Sequence, residues 1–313
     1  SSSLEGADIV ESLIKGSDVL GSLAFAKLIE PSFEISKSFY WPEDKENQDL
    51  TPSMPYTIDI DIGLKDWAFQ NLVDSDVYPQ DVTGLLPTVS QALERAMDLM
   101  ASVGQADSQS DRSYWDIVSI EPHAQNHRNR GLSHLIEMCR DLWLALYEED
   151  TSKAEYFIQS WKSVPYPVFR RLSLYAHATV PLSSPETSLE YLLENNGWWL
   201  WAVSTTRETY RLLAKIWPAL EQEAADKLLD YTIVGPPRKM YRDDLSVDKF
   251  KERQDRDRWE LLAKLESFDR PLYGRALSVY RQLSKDYPSW KLQGEERDEF
   301  NHWSSSSVGH DTD

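Results

Sequence analysis

Two histidines offer the first chemistry. His123 and His127 stand four apart in His123-Ala124-Gln125-Asn126-His127, with His134 seven further on. On one helix face, imidazoles at that spacing can hold a single metal ion. A metal-dependent hydrolase built on His123, His127 and a nearby carboxylate is one reading. The zinc-peptidase pattern also needs a glutamate directly after the first histidine, and here that position is Ala124. Pro122 and Gly131 flank the segment and argue against a continuous helix. The favoured expectation is a helix entry or loop in which Glu121 and His123 satisfy backbone groups, with no metal and no cofactor bound.

Carboxylate pairs come next. Asp59 and Asp61 would share a strand face, and Glu137 and Asp141 are four apart on a helix. Such pairs can do acid–base work or hold a cation. With 52 acidic residues in 313, they arise by chance throughout the chain, and a solvated face is the stronger reading. Nucleophilic chemistry finds little. There is no Gly-x-Ser-x-Gly elbow. Cys139 sits on the apolar stripe of a strong helix, where a buried thiol is inert. No P-loop and no Gly-x-Gly-x-x-Gly occurs among only 12 glycines, so no nucleotide site is legible.

The tryptophans remain. Trp198, Trp199 and Trp201 follow Asn195-Asn196-Gly197. Three indoles so close cannot all face one way on a helix. They are read mainly as core, with one turned outward at the Gly197 break as a candidate protein-binding anchor. Arg170-Arg171 lies inside the apolar run Val168 to Ala176. One arginine is expected to pair with a carboxylate of the next hairpin and the other to be solvated.

The elements that position these residues are mostly helices. Leu132, Leu135, Ile136, Cys139, Leu142, Trp143 and Leu146 follow the three–four spacing of an amphipathic helix. Further helices are expected over 85–100, 152–163, 167–180, 185–195, 205–217, 219–233, 255–267 and 272–286. Ser184-Pro185-Glu186 is a start signal and Gly235-Pro236-Pro237 a stop signal. Pair starts near 132, 167, 205 and 257 suggest helical hairpins of the tetratricopeptide or HEAT kind, with Arg238 to Arg256 as a charged insertion. Residues 1–83 differ. They hold one possible helix near 20–28, five prolines between Pro31 and Pro79, and a period-two stretch, Tyr56 to Ile62, that reads as one short strand. The expectation is an all-α, irregular helical-hairpin solenoid over 84–303, a Pro-rich and mostly non-helical segment over 1–83, and a disordered tail over 304–313.

Composition bounds the function. The net charge of −19 leaves little for gripping a nucleic-acid backbone. One cysteine excludes an internal disulfide and CxxC zinc sites. No apolar run approaches the eighteen residues of a membrane span. The N-terminal Ser1 to Gly6 has no basic n-region. These features lead us to expect a cytoplasmic protein, or an excised piece of one.

Four segments carry a resemblance: Ser119-Ile120-Glu121-Pro122-His123-Ala124-Gln125-Asn126 with Cys139-Arg140-Asp141-Leu142; Pro165 to Ala176; Ile233-Val234-Gly235-Pro236-Pro237 with Trp259-Glu260-Leu261-Leu262; and Tyr287-Pro288-Ser289-Trp290 with Asp298 to Trp303. In that order, over about 115–303, the chain resembles the C-terminal helical-repeat region of bacterial anti-phage STAND-type NTPases, some of which carry a sirtuin-like or nuclease effector. The resemblance implies a non-enzymatic sensor for a phage protein such as the terminase large subunit or portal. It also implies homo-oligomerisation in the full-length protein. The NTPase and effector motifs are absent from this chain. A purely structural oligomerisation scaffold is the remaining alternative.

Overall fold

The apolar stripe that begins at Leu132 lies at the centre of its half of the chain. In the helix Gly131–Glu149, Leu135, Ile136, Cys139 and Leu142 are wholly buried and Trp143 almost so. The Trp143 indole N–H donates to the Ala154 carbonyl at 3.0 Å, which anchors the following helix, Thr151–Ser163. That helix starts on Asp150, whose carboxylate accepts from the Lys153 amide. The structure, a computed structural model, describes residues 18–37, 56–76, 78–126, 131–294, 296–300 and 303. These residues form an all-α protein with a single two-stranded hairpin.

The chain divides into two compact units. The first takes residues up to Asp116 together with Arg128–Tyr166, and the second takes Ile117–His127 together with residues from Pro167 onward. The expected break between 83 and 84 does not coincide with this division. The described residues before 84 pack with the helices Leu86–Ser102 and Gly131–Glu149, and their apolar side chains Phe25, Ile29, Leu64 and Leu72 are all buried in the first unit.

In that unit α1 (Asp18–Leu28) leads into β1 (Ser32–Lys37), and β2 (Tyr56–Asp61) pairs antiparallel with β1. Register sets Ile35 opposite Ile58 and Phe33 opposite Ile60. The sequence reading has one strand here; the second carries no local signal because its partners lie 19 to 29 positions away. Ile60 and Ile62 are buried and Ile58 half-buried, so the period-two face does point inward. Gly131 lets a helix start lie against this segment, since a Cβ there would stand 3.0 Å from the Ile62 nitrogen. The tail 304–313 lies outside the described residues.

The second unit holds Pro167–Thr179, Pro185–Leu192, Glu194–Trp201, Thr206–Ile216, Gln222–Val234, Val247–Ser267 and Gly274–Asp286. Ser184 caps the second of these, accepting from the Thr187 amide at 3.2 Å, and Gly235 ends the fifth at φ 81°. Residues 247–256, read as insertion, are helical: Ser246 caps them and they run on into the buried Trp259, Leu261 and Leu262. Helices start at 131, 167, 206 and 247, so the intervals are 36, 39 and 41, more even than the sequence suggests. Trp217, Leu212, Leu213, Leu228 and Leu262 are wholly buried in the second unit's core.

Candidate functional site

Ionic groups dominate the second unit. The segment 117–126, which has bends and turns and no helix or strand, carries Ile117, Ile120 and Glu121. Arg171, on Pro167–Thr179, is completely buried. Its Nε donates to Glu208 Oε2 and its Nη2 to Glu208 Oε1, both at 3.1 Å. Nη2 also donates to the Ile117 carbonyl at 2.8 Å, and the Ile120 amide donates to Glu208 Oε1 at 2.9 Å. Every charge in this pair is met by a geometrically sound partner, which a buried pair requires.

One residue before Glu208, Arg207 is also buried and is shared among Glu299, Glu296 and Glu121. Arg211, one turn on, reaches Glu121 and Glu296, each at 3.2 Å. Lys264 joins from Val247–Ser267, 2.9 Å from Asp298 and 3.3 Å from Glu299. This network ties the 296–300 segment to the helices. None of its members stands out in the sequence, because the partners lie up to 92 residues apart.

His123 belongs to the edge of the same network. Its Nδ1 accepts from the Gln125 amide at 3.1 Å, its Nε2 lies 3.7 Å from Glu296, and its ring packs on Phe300 and Trp303. Burial, with Arg207 nearby, holds its pKa below the ordinary histidine value. His127 lies outside the described residues. His134 falls in the first unit, stacked on Phe69 at 4.2 Å. Among the described residues, no three histidine, cysteine or carboxylate side chains are grouped so as to hold a metal ion.

The three indoles follow a backbone kink. Asn195, Asn196 and Gly197 all adopt left-handed conformations, at φ 53°, 58° and 74°. Beyond it Trp199 is buried, while Trp198 and Trp201 are half-buried against the same core. Lys239 covers the Trp198 ring at 4.9 Å. Arg171 pairs with a carboxylate as expected of one of the two arginines, but the other is not solvated: Arg170 stacks over Tyr191 at 3.9 Å and Trp199 at 5.0 Å. It also donates to Glu194 at 2.6 Å, because planar guanidinium satisfies both an aromatic face and a carboxylate.

Trp201 lines a groove of about 330 Å³. Leu200, Val203 and Phe300 line it with the carboxylates Asp257, Glu260 and Asp298 and the cations Arg256, Lys291 and Arg297. Burial raises the pKa values of Asp257 and Glu260 despite the pull of Arg256 on both. Tyr241 donates its hydroxyl to Asp257. Arg256 lies 3.6 Å from Glu260 and Lys264 2.9 Å from Asp298, so the groove combines apolar surface with charges of both signs.

No family model, curated protein or solved structure matches this chain. Among the described residues, no helix is long and apolar enough to cross a membrane.

Proposed function

We propose that this chain is a non-enzymatic recognition module that binds a protein partner at the groove beside Trp201. The observation that carries the reading is the groove itself, lined by a half-buried indole, by Val203, which is more than half exposed, and by charged residues of both signs. Binding energy in such interfaces is concentrated in a few desolvated aromatic anchors. The net charge of −19 steers a partner bearing a basic patch. The resemblance to anti-phage sensor regions points to a cytoplasmic role and to a phage terminase large subunit or portal as that partner.

The test is direct. Purified terminase large subunit and portal are titrated against the chain, its Trp201→Ala variant and its Val203→Asp variant. The reading expects one phage protein to bind, binding to weaken as salt rises, and Val203→Asp to abolish it while the melt stays unchanged. If neither phage protein binds, the assignment of the partner fails. If binding ignores both substitutions, the groove is not the contact.

A further inference from the structure

The start of the helix Val247–Ser267 and the loop before it enclose a cavity of about 310 Å³, lined by Arg242, Asp244, Leu245, Ser246, Lys249 and Arg253. Residues 238–253 carry six lysines and arginines against four carboxylates, in a chain with 33 against 52, so the local charge is the reverse of the average. Arg238 is spent on the loop itself: its guanidinium donates to the carbonyls of Tyr241, Arg242, Asp243 and Leu245 at distances between 2.8 and 3.2 Å, and it stacks over Phe250. Arg242 is spent on Asp244, with Nε 3.0 Å from Oδ1 and Nη2 2.6 Å from Oδ2, which neutralises the carboxylate on the lining. Lys249 and Arg253 remain. They stand one turn apart on the same helix face, both are exposed, and no carboxylate among the described residues lies within ion-pair distance of either. Asp257 feels Arg253 only at longer range. The Ser246 Oγ accepts from the Lys249 amide at 3.4 Å, which leaves the hydroxyl proton to be donated.

We propose that this cavity binds a phosphate monoester, its phosphate received by Lys249, Arg253 and the Ser246 hydroxyl. Two uncommitted cations match a dianion in charge, and the guanidinium fork matches two phosphate oxygens in shape. A carboxylate would answer only one of the two charges. Leu245, half-buried on the lining, offers the ester's carbon body an apolar contact. None of the cavity's residues lines the groove at Trp201, so this reading and the proposed function can fail independently.

The experiment follows backbone amide shifts of the full chain during titration with glycerol phosphate and with a short phosphoserine peptide. Glycerol, the unphosphorylated peptide and acetate are the controls. A phosphorylated probe should give saturable shifts centred on residues 242–253, and its binding should weaken as salt rises. Tighter binding of the peptide assigns the phosphate to a modified protein, and tighter binding of glycerol phosphate assigns it to a small metabolite. Lys249→Gln and Arg253→Gln should each weaken binding about tenfold. Neither makes an ion pair in the protein, so the melting temperature should hold. Asp244→Asn should tighten binding, because it removes a negative charge from the lining and releases Arg242 to the ligand. Arg275→Gln, which removes an exposed arginine from the helix Gly274–Asp286, should change nothing. The proposal is overturned if neither phosphorylated probe saturates, if the controls bind as well, or if Lys249→Gln and Arg253→Gln bind as the parent does. An equal loss in Arg275→Gln, or weaker binding in Asp244→Asn, would likewise overturn it, since the attraction would then not be seated in this cavity.

Discussion

Arg171 and Glu208 form a two-point ion pair in a site that water does not reach: the arginine side chain is 0% exposed and the glutamate 3%. The pair joins Pro167–Thr179 to Thr206–Ile216 and is closed by two backbone groups of the segment 117–127. Arg171→Met should therefore leave Glu208 buried and unpaired and cost about 3–5 kcal/mol. Denaturant melts of Arg171→Met, Glu208→Leu and the double variant check this. The double variant should be more stable than either single change, because no orphaned charge remains.

Gly197→Ala should destabilise by about 1–3 kcal/mol, since the left-handed backbone strains any Cβ. The Cβ would also lie 2.6 Å from the Tyr231 ring. Tyr231→Ala in the same chain should recover part of the loss. Equal stability of Gly197→Ala and the parent would show that the kink is not held.

Cys139 is wholly buried, and burial pushes its thiol pKa up to about 12. At pH 8 the native thiol should resist iodoacetamide and react only as the first unit opens. Modification measured by mass spectrometry along a urea series should track the loss of that unit. Rapid labelling without denaturant would contradict the packing of Gly131–Glu149.

His134 is buried, and desolvation lowers its pKa although Asp66 and the Leu64 carbonyl act the other way. The unfolded chain then takes up the proton first. Stability is full above the ordinary histidine value of about 6.5 and falls as pH drops below it. His134→Gln should flatten that part of the stability–pH curve, and the imidazole proton resonances of the native protein should titrate below the free value.

Much of the helical plan can be read along the chain. The Leu132–Leu146 stripe, the Ser184 cap and the Gly235 stop depend on residues within one or two turns, and each stands where periodicity and capping put it. Residues 247–256 are harder to read, because Val247 and Phe250 are their only apolar residues and give little periodic signal; their helix is set by the Ser246 cap and by the buried turn that follows. The strand Ser32–Lys37 depends on a partner remote in sequence. The same holds for the sites. Trp198, Trp199 and Trp201 are conspicuous as residues, but which of them is buried depends on packing against residues remote in sequence. Arg207 and Lys264 carry no local pattern, and their carboxylate partners are brought to them by packing.

The path of the chain restricts how the protein can be dissected. Ile117–His127 belongs with the second unit, yet residues 128–166 of the first unit separate it from Pro167. A fragment beginning at Pro167 would retain Arg171 and Glu208 but lose the Ile117 carbonyl and the Ile120 amide that close their pair. A single cut therefore cannot liberate the second unit whole. Fragment complementation offers another route: a synthetic peptide of residues 117–127 added to the 167–313 piece should restore cooperative melting. A chain that begins at residue 117 and joins 127 to 167 directly, with 128–166 deleted, would carry the same unit as one uninterrupted polypeptide.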